Sequence, residues 1–221
     1  MSPVQSALEA AWYSGAWWLW LLRPLELVFR GVVAVRRVCY QRGILKAWRA
    51  PVPVVVVGNI TVGGTGKTPV VVALVEHLQE LGLRPGVVSR GYGATAAAFP
   101  HTVSPGSTAA DCGDESLLIH RRTGCPCVVA PDRPAAVRQL LNEFDVDVIL
   151  SDDGLQHYAL ARDLEIAVVD ASRGLGNGFC LPAGPLREPA GRLAEVHHVL
   201  QRGSDNLREG VRYQAQALIN I

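Results

Sequence analysis

A glycine-rich segment near residue 60 carries the residues best suited to chemistry. It reads, in order, Thr61-Val62-Gly63-Gly64-Thr65-Gly66-Lys67-Thr68. Six of these positions follow the phosphate-loop pattern, in which glycines bring backbone N–H groups close to phosphate, although the pattern begins with glycine and Thr61 stands there. We predict that this segment binds a nucleotide, with Lys67 on the β/γ-phosphates and the Thr68 hydroxyl as a Mg²⁺ ligand.

Two adjacent acidic residues offer the metal-binding group that a phosphate loop needs. Asp152 and Asp153 follow the apolar run Val148-Ile149-Leu150, which predicts a buried strand. A carboxylate at the carboxyl end of a neighbouring parallel strand faces the phosphate loop, because ligands bind at that edge. Since two adjacent side chains cannot point the same way, we expect one to meet Mg²⁺ and the other to face its surroundings or the acceptor. The alternative is a solvated turn before Gly154.

Other charged residues are weaker candidates for the site. Asp114 begins a predicted helix, where it either complements the helix dipole or accepts a proton from an attacking hydroxyl. His157 follows Asp153 by four residues, and a lone histidine is more often structural. Arg187 and Glu188 follow a Pro/Gly-rich stretch, which either lines a site or only closes a loop.

The elements that would position these side chains alternate between strands and helices. The predicted strands are 52–57, 86–89, 127–129, 147–150, 165–170 and 196–200. The predicted helices are 67–81, 114–122 and 132–144, and residues 91–111 are predicted to form a surface loop. This alternation predicts an α/β fold of the P-loop NTPase type, with a doubly wound, mostly parallel sheet.

The first fifty residues differ in composition from the rest of the chain. They hold seven Lys/Arg against two Asp/Glu, whereas the other 171 residues hold fourteen against eighteen. They also hold all five tryptophans, which are Trp12, Trp17, Trp18, Trp20 and Trp48. Because tryptophan favours the membrane interface and Lys/Arg favours anionic headgroups, this composition is typical of a segment at a membrane surface.

Helical spacing within this segment favours an amphipathic anchor over a membrane span. The purest apolar run, 16–22, is much shorter than the roughly 20 residues that a span requires. Beyond Pro24, one predicted helix face carries Arg23, Glu26, Arg30 and Arg37, and another carries Leu25, Val28, Val32 and Val35. We therefore predict a helical membrane-interface segment over 1–50; the alternative is that these helices pack on the protein's own core.

Composition excludes several broad classes of protein. The 221 residues are 49% hydrophobic and 19% charged, which excludes global disorder. A net charge of +1 argues against a strongly basic nucleic-acid binder. The five cysteines contain one close pair, Cys125 and Cys127, where a tetrahedral zinc site usually takes two, so we expect reduced thiols in a cytosolic protein.

Six ordered segments resemble the tetraacyldisaccharide 4'-kinase family of the lipid A pathway. They are 58–69 (GNITVGGTGKTP), 89–93 (SRGYG), 113–115 (GDE), 130–133 (APDR), 152–158 (DDGLQHY) and 181–189 (LPAGPLREP). Their order and spacing match as well, and the resemblance covers essentially the whole chain. Thr61 then resembles this family's own variant of the phosphate loop.

The resemblance implies ATP- and Mg²⁺-dependent transfer of a phosphoryl group to the 4'-hydroxyl of a lipid A disaccharide 1-phosphate. It implies a monotopic enzyme on the cytoplasmic face of the bacterial inner membrane. By motif, it places Lys67 and Thr68 on phosphates and metal, and Asp152 and Asp153 at Mg²⁺. It implies that Asp114 is the base, with two further active-site residues, His157 and Glu188, in support.

The same resemblance raises an expectation about activity. The family continues with a smaller second domain that supplies a histidine partner to the catalytic aspartate and closes over the nucleotide, and this chain ends at Ile221 near where that domain should begin. We therefore assign 51–221 to a P-loop kinase domain and expect it to bind ATP but transfer phosphate slowly. Two alternatives stay open: a membrane-associated P-loop switch ATPase, against which the lack of an early second lysine in the loop counts, and a nucleotide-binding remnant without activity.

Overall fold

A computed structural model describes residues 3–96, 98–203 and 210–211 of the chain. The α-helices are α1 Pro3–Ser14, α2 Arg23–Gln41, α3 Lys67–Glu80, α4 Ala109–Cys112, α5 Asp114–Thr123 and α6 Arg133–Glu143. Two 3₁₀ helices cover Trp17–Leu22 and Ala190–Ala194. The strands are β1 Val54–Gly58, β2 Pro85–Ser89, β3 His101–Thr102, β4 Cys127–Val129, β5 Val148–Asp152, β6 Leu164–Asp170, β7 His198–Arg202 and β8 Gly210–Val211.

The described strands form one sheet in the order β3-β4-β2-β5-β1-β6-β7-β8. Every neighbouring pair is parallel except β3 with β4, which is antiparallel. The strand β1 lies between β5 and β6, with Val57 in register with Asp152 on one side and Ile166 on the other. The chain therefore turns to opposite sides of β1 at this point, and the carboxyl edge there is where open α/β sheets bind ligands.

Helices cover both faces of the sheet, which confirms the predicted doubly wound α/β class. On one face, Val71 of α3 and Ile119 of α5 belong to the same core as Val57 of β1. On the other face, Leu140 of α6 belongs to the same core as Val56. The four consecutive valines of β1 thus point alternately to the two faces of the sheet and are covered on both, as is usual for strands of parallel sheets.

Two predictions about local structure need correction. The predicted loop over 91–111 contains β3, whose His101 pairs with Val129, and α4, which begins with a capping box between Thr108 and Asp111. A two-residue edge strand is too short to show period-two alternation, so only its pairing partner reveals it. The predicted strand over 147–150 continues to Asp152, which therefore belongs to β5 rather than to the following loop.

The N-terminal helices pack on the body of the protein through a few specific contacts. The Trp12 indole Nε1 donates a hydrogen bond to the Pro182 carbonyl at 3.1 Å. Glu26 is 1% exposed, accepts a hydrogen bond from the Cys180 backbone N–H at 3.2 Å and pairs with Arg23 at 2.9 Å. Arg37 forms an ion pair with Glu195. The charged face of α2 is therefore the face that docks.

The apolar face of α2 points away from the protein. Leu25, Val28, Val32 and Val35 are all exposed, and so are Trp17 and other large side chains of the preceding 3₁₀ helix. The predicted alternative, packing on the protein's own core, thus holds for the charged face and not for the apolar one. Among the described helices, none combines the length and apolar character that crossing a membrane requires.

Candidate functional site

The glycine-rich loop joins the end of β1 to the start of α3. Gly66 adopts a left-handed conformation (φ +78°) at the helix N-cap, where a side chain would be strained. Gly58 ends β1 beside Leu155, whose Cγ lies 2.7 Å from the position that a Cβ on Gly58 would occupy. Strand, loop and helix N-terminus therefore form the arrangement in which backbone N–H groups and the helix dipole bind phosphate.

The Pro/Gly-rich segment 181–189 braces this loop. The Val62 N–H donates to the Pro185 carbonyl at 2.8 Å, and the Arg187 N–H donates to the Ile60 carbonyl at 2.7 Å. Thr61 and Leu186 form an antiparallel bridge between the two segments. This pairing fixes the backbone of Arg187 beside the phosphate loop, a position that its distance in sequence does not reveal.

Asp153 is held between two cations. The Lys67 Nζ lies 3.5 Å from its Oδ1, and the Arg187 Nη1 donates to both carboxylate oxygens at 3.0 and 3.2 Å. Burial by itself would raise the pKa of Asp153, but Lys67 and Arg187 outweigh burial and lower that pKa. Its backbone lies in the left-handed region (φ +48°), which costs a non-glycine residue energy. The structure therefore brings the predicted Lys67 and Asp153 together, with Arg187, in one cluster of ion pairs.

Asp152 is the more buried member of the acidic pair. Its side chain is 0% exposed, and neither carboxylate oxygen has a hydrogen-bond partner in the described part of the chain. Burial, followed by the nearby charge of Glu115, raises the pKa of Asp152 to about 7. Buried carboxylates almost always have a hydrogen-bond or metal partner, so the two oxygens of Asp152 are candidate ligands for a cation.

These residues fit a divalent cation. Hard cations such as Mg²⁺ take oxygen ligands, and the unpaired carboxylate of Asp152 offers two. The hydroxyl of Thr68, a buried residue at the start of α3, is a further oxygen donor. The described residues contain no cluster of three or more His, Cys, Asp or Glu side chains that would hold a metal without help. A cation here would therefore complete its shell with water and phosphate oxygens, as Mg²⁺ commonly does.

Two cationic or titratable groups lie around the acidic pair. Arg133 is 1% exposed, and its guanidinium donates to the carbonyls of Ala130 at 3.2 Å and Asp152 at 2.7 Å. Burial lowers the pKa of Arg133 to about 10. Burial, then the charges of Arg133 and Arg90, lower the pKa of His157 to about 4, so this imidazole is neutral near pH 7.

Arg133 was not predicted as a site residue. Arginine at the first turn of a helix gives no local signal, and its role follows only from the carbonyls that converge on it. The one available signal was its place in the ordered segment 130–133.

Asp114 and Glu115 begin α5 on the exposed side of the site. Gly113, just before them, packs against the backbone of the 89–93 segment, since a Cβ there would lie 2.9 Å from the Tyr92 carbonyl oxygen. The negative charge of Glu115 helps to raise the pKa of Asp152, so the start of α5 lies near the acidic pair. The geometry is compatible with the predicted role of Asp114 toward an acceptor, which stays a prediction.

Glu188 lies in a separate buried ion network. The Tyr158 hydroxyl donates to its Oε1, and the Arg192 Nε lies 3.4 Å from its Oε2. Arg192 in turn donates to both carboxylate oxygens of Glu165. The contact with Asp153 comes instead from the preceding residue, Arg187. The supporting role predicted for Glu188 stays a prediction.

Comparison with known proteins decides the family. The family model described as tetraacyldisaccharide-1-P 4'-kinase (LpxK) matches residues 18–219. The chain belongs to this family. Six segments that carried the resemblance in sequence all lie within the matched range.

Relatives named tetraacyldisaccharide 4'-kinase share more than half of the aligned residues. That of Pseudomonas paraeruginosa is 56% identical over 217 residues, and that of Ectopseudomonas mendocina is 57% identical over 224. These alignments cover 97% and 100% of this chain, but 65% and 67% of the relatives. The chain thus spans about two thirds of the length of the relatives it matches.

A solved LpxK structure has the same fold. The enzyme from Aquifex aeolicus, whose crystal structure is described as a complex with ATP, superposes with a TM-score of 0.73 at 29% identity. The match covers 83% of this chain and 58% of the Aquifex chain. The P-loop kinase fold predicted from the sequence is therefore confirmed.

Proposed function

We propose that this chain transfers the γ-phosphoryl group of ATP to the 4'-hydroxyl of tetraacyldisaccharide 1-phosphate, a lipid A precursor. The observation that carries the proposal is the convergence of Lys67, from the phosphate loop, on Asp153, beside the unpaired carboxylate of Asp152. Membership of the family supports the acceptor, and the ATP complex of the Aquifex relative supports the donor.

The phosphates of ATP would lie on the loop 61–68, where backbone N–H groups and the Lys67 ammonium meet their oxygens. Asp152 and Thr68 would hold Mg²⁺, which would supply neutralisation of the phosphate charge. Phosphoryl transfer depends mainly on positioning and electrostatic stabilisation, so contacts of the phosphates with the loop, Lys67 and Mg²⁺ would account for most of the catalysis. Arg187 serves as a positioning residue because it fixes the carboxylate of Asp153.

The acceptor would enter from the side of α5. We assign the general base to Asp114, which would take the proton from the 4'-hydroxyl as its oxygen attacks the γ-phosphorus and ADP departs. Exposure of Asp114 keeps it accessible to a lipid headgroup arriving from outside. His157, neutral near pH 7, and Glu188 are assigned to support of the site rather than to proton transfer.

We also propose that the N-terminal helices hold the chain at the cytoplasmic face of the inner membrane. The support is the orientation of α2, whose charged face packs on the protein through Glu26 and whose apolar face is exposed. On the apolar face, the side chains of Val28 and Val32 are 66% and 62% exposed. Contiguous exposed apolar side chains beside arginines are typical of interfacial helices. Such a placement would bring the site to an acceptor whose acyl chains stay in the bilayer.

Transfer of labelled phosphate tests the activity. The chain is incubated with γ-labelled ATP, Mg²⁺ and tetraacyldisaccharide 1-phosphate in detergent micelles, beside Lys67→Ala as control. We expect label in the lipid, lost in the control. Label released only as inorganic phosphate would favour the switch-ATPase alternative, and Lys67-dependent ATP binding with no transfer would favour the inactive remnant; either result overturns the proposal.

A further inference from the structure

A second arginine approaches the phosphate loop from the side opposite the acidic pair. Arg173 lies in the turn after β6, and β6 flanks β1 on the side away from β5. Its Nη1 lies 3.5 Å from the position that a Cβ on Gly63 would occupy. The loop is thus approached by Arg173 on one side and by the Asp153 cluster on the other.

The turn that carries Arg173 is firmly held. The carboxylate of Asp170, at the end of β6, accepts hydrogen bonds from the Ser172 N–H at 3.0 Å and hydroxyl at 2.6 Å. It also pairs with Arg202 of β7 at 3.1 Å. The Gly174 N–H closes the turn on the Asp170 carbonyl at 2.8 Å. The backbone of Arg173 is therefore fixed relative to the sheet and to β1.

The guanidinium itself stacks on an aromatic ring. Its central carbon lies 4.9 Å from the centre of the Tyr13 ring, in a cation–π contact with α1. No carboxylate lies within ion-pair distance of Arg173 among the described residues. Lys67 and Arg187, by contrast, share Asp153 as partner. Arg173 therefore keeps its hydrogen-bond donors available beside a loop built to hold anions.

The guanidinium also borders open space. A cavity of about 480 Å³ lies between α1 and the turn after β6, lined by Ser6, Glu9, Ala10, Tyr13, Ser172 and Arg173. The side chain of Arg173 therefore has room to change rotamer beside Gly63 without movement of the backbone.

We propose that Arg173 binds the β/γ-phosphate oxygens of ATP at Gly63 and neutralises charge that develops during phosphoryl transfer. The proposal rests on the kinase function proposed above. An arginine suits this role because its planar fork donates two parallel hydrogen bonds to phosphate, whereas a lysine acts as a point charge. The Tyr13 ring would hold the guanidinium ready without cancelling its charge, as a carboxylate would.

Nucleotide affinity provides a readout independent of lipid phosphorylation. We would measure binding of ATP, ADP and AMP with Mg²⁺ to the wild type, Arg173→Ala, Arg173→Lys and Lys67→Ala. Arg138→Ala is the matched control, because Arg138 also stacks on an aromatic ring, that of Trp48, at 5.3 Å. We expect Arg173→Ala to weaken ATP binding about tenfold and leave AMP binding unchanged, since one charged hydrogen-bonded contact to the outer phosphates is lost.

Kinetics of transfer separates catalysis from packing. We expect Arg173→Ala to lower kcat roughly 100-fold, Arg173→Lys to recover ATP affinity better than kcat, and added guanidinium ion to restore part of the rate. Arg138→Ala should match the wild type. Guanidinium rescue would not follow from a purely structural role in docking α1.

The outcomes distinguish this proposal from the one it rests on. Equal affinities for ATP and unchanged kcat in Arg173→Ala, or equal losses for ATP and AMP, overturn the role of Arg173 alone. Selective loss of ATP affinity without lipid phosphorylation by the wild type supports Arg173 and overturns the kinase. A wild type that binds no ATP overturns both.

Discussion

Asp152 and His157 are two buried titratable side chains whose pKa values move in opposite directions. Burial and Glu115 raise the pKa of Asp152 from 3.8 to about 7, so between these values the folded chain binds a proton that the unfolded chain lacks. Burial and nearby arginines lower the pKa of His157 from 6.5 to about 4, so there the unfolded chain binds the extra proton. Each effect changes the free energy of unfolding by up to about 1.4 kcal/mol per pH unit, with opposite signs.

The two effects offset each other in the wild type between about pH 4.5 and 6.5. We therefore expect the free energy of unfolding of Asp152→Asn, relative to wild type, to rise with pH across this window. The reason is that the variant lacks the buried carboxyl whose raised pKa makes the wild type less stable as pH rises. The stability of His157→Gln relative to wild type should fall with pH across the same window. Denaturant unfolding without Mg²⁺ or nucleotide measures both differences, and slopes of the same sign would contradict the assigned environments.

Roles in the site were predictable for side chains that lie close in sequence to the end of a strand. The run from Gly63 to Thr68 lies in the loop after β1, and Asp152 ends β5 with Asp153 directly after it, so their shared edge follows from the parallel sheet. Arg187 and Arg173 reach the same loop from turns far away in sequence. Their contacts depend on how separate segments pair and pack, which local pattern does not encode.

The helix α2 shows how an element can be predicted and its orientation left open. Helical spacing identified both of its faces, but spacing does not say which face meets the protein. Glu26 decides this, because a carboxylate buried against the Cys180 N–H and Arg23 draws the charged face inward. Similarly, β3 and α4 escaped prediction because a two-residue strand and a one-turn helix are too short for periodicity to show.

Exposure of the apolar face of α2 leads to a test of membrane contact. We expect Val28→Asp with Val32→Asp to weaken binding to anionic lipid vesicles at least about tenfold, because charged groups would replace apolar ones at the interface. ATP affinity should stay unchanged, since neither side chain lies at the phosphate loop. Vesicle flotation measures the binding.

A matched control uses an apolar side chain of similar exposure elsewhere. Leu81, just after α3, is 63% exposed, close to the 62% of Val32. Leu81→Asp should float with vesicles like the wild type. Equal flotation of the α2 double variant and the wild type would show that this face meets something other than the bilayer.

At the scale of the whole molecule, one strand connects the site to both halves of the sheet. A ligand at the end of β1 would lie beside Asp152, which ends β5, and beside Val62, which packs on the N-terminal cluster of Ala11, Trp12 and Leu19. Because a nucleotide bound there depends on the folded arrangement of these segments, nucleotide binding should stabilise the folded chain. The extent follows from mass action on the folded state.

We expect Mg²⁺ with ATP at about 100 times its Kd to stabilise the fold by about 2.7 kcal/mol, a rise in Tm of roughly 5–10 °C for a chain of this size. Lys67→Ala should lose most of this rise, and Asp152→Asn should lose the part that depends on Mg²⁺. Thermal unfolding followed by circular dichroism measures it. An equal rise in Lys67→Ala would place the nucleotide elsewhere on the protein.

The position of the transferred phosphate tests the central claim most directly. Lipid product from the incubation with ATP would be purified, and its new phosphate located by phosphorus–proton correlation in nuclear magnetic resonance. We predict a single new phosphate on the 4'-oxygen, with the 1-phosphate intact. A new phosphate on any other oxygen, or none with ATP consumed, would contradict the claim that this site phosphorylates the 4'-hydroxyl.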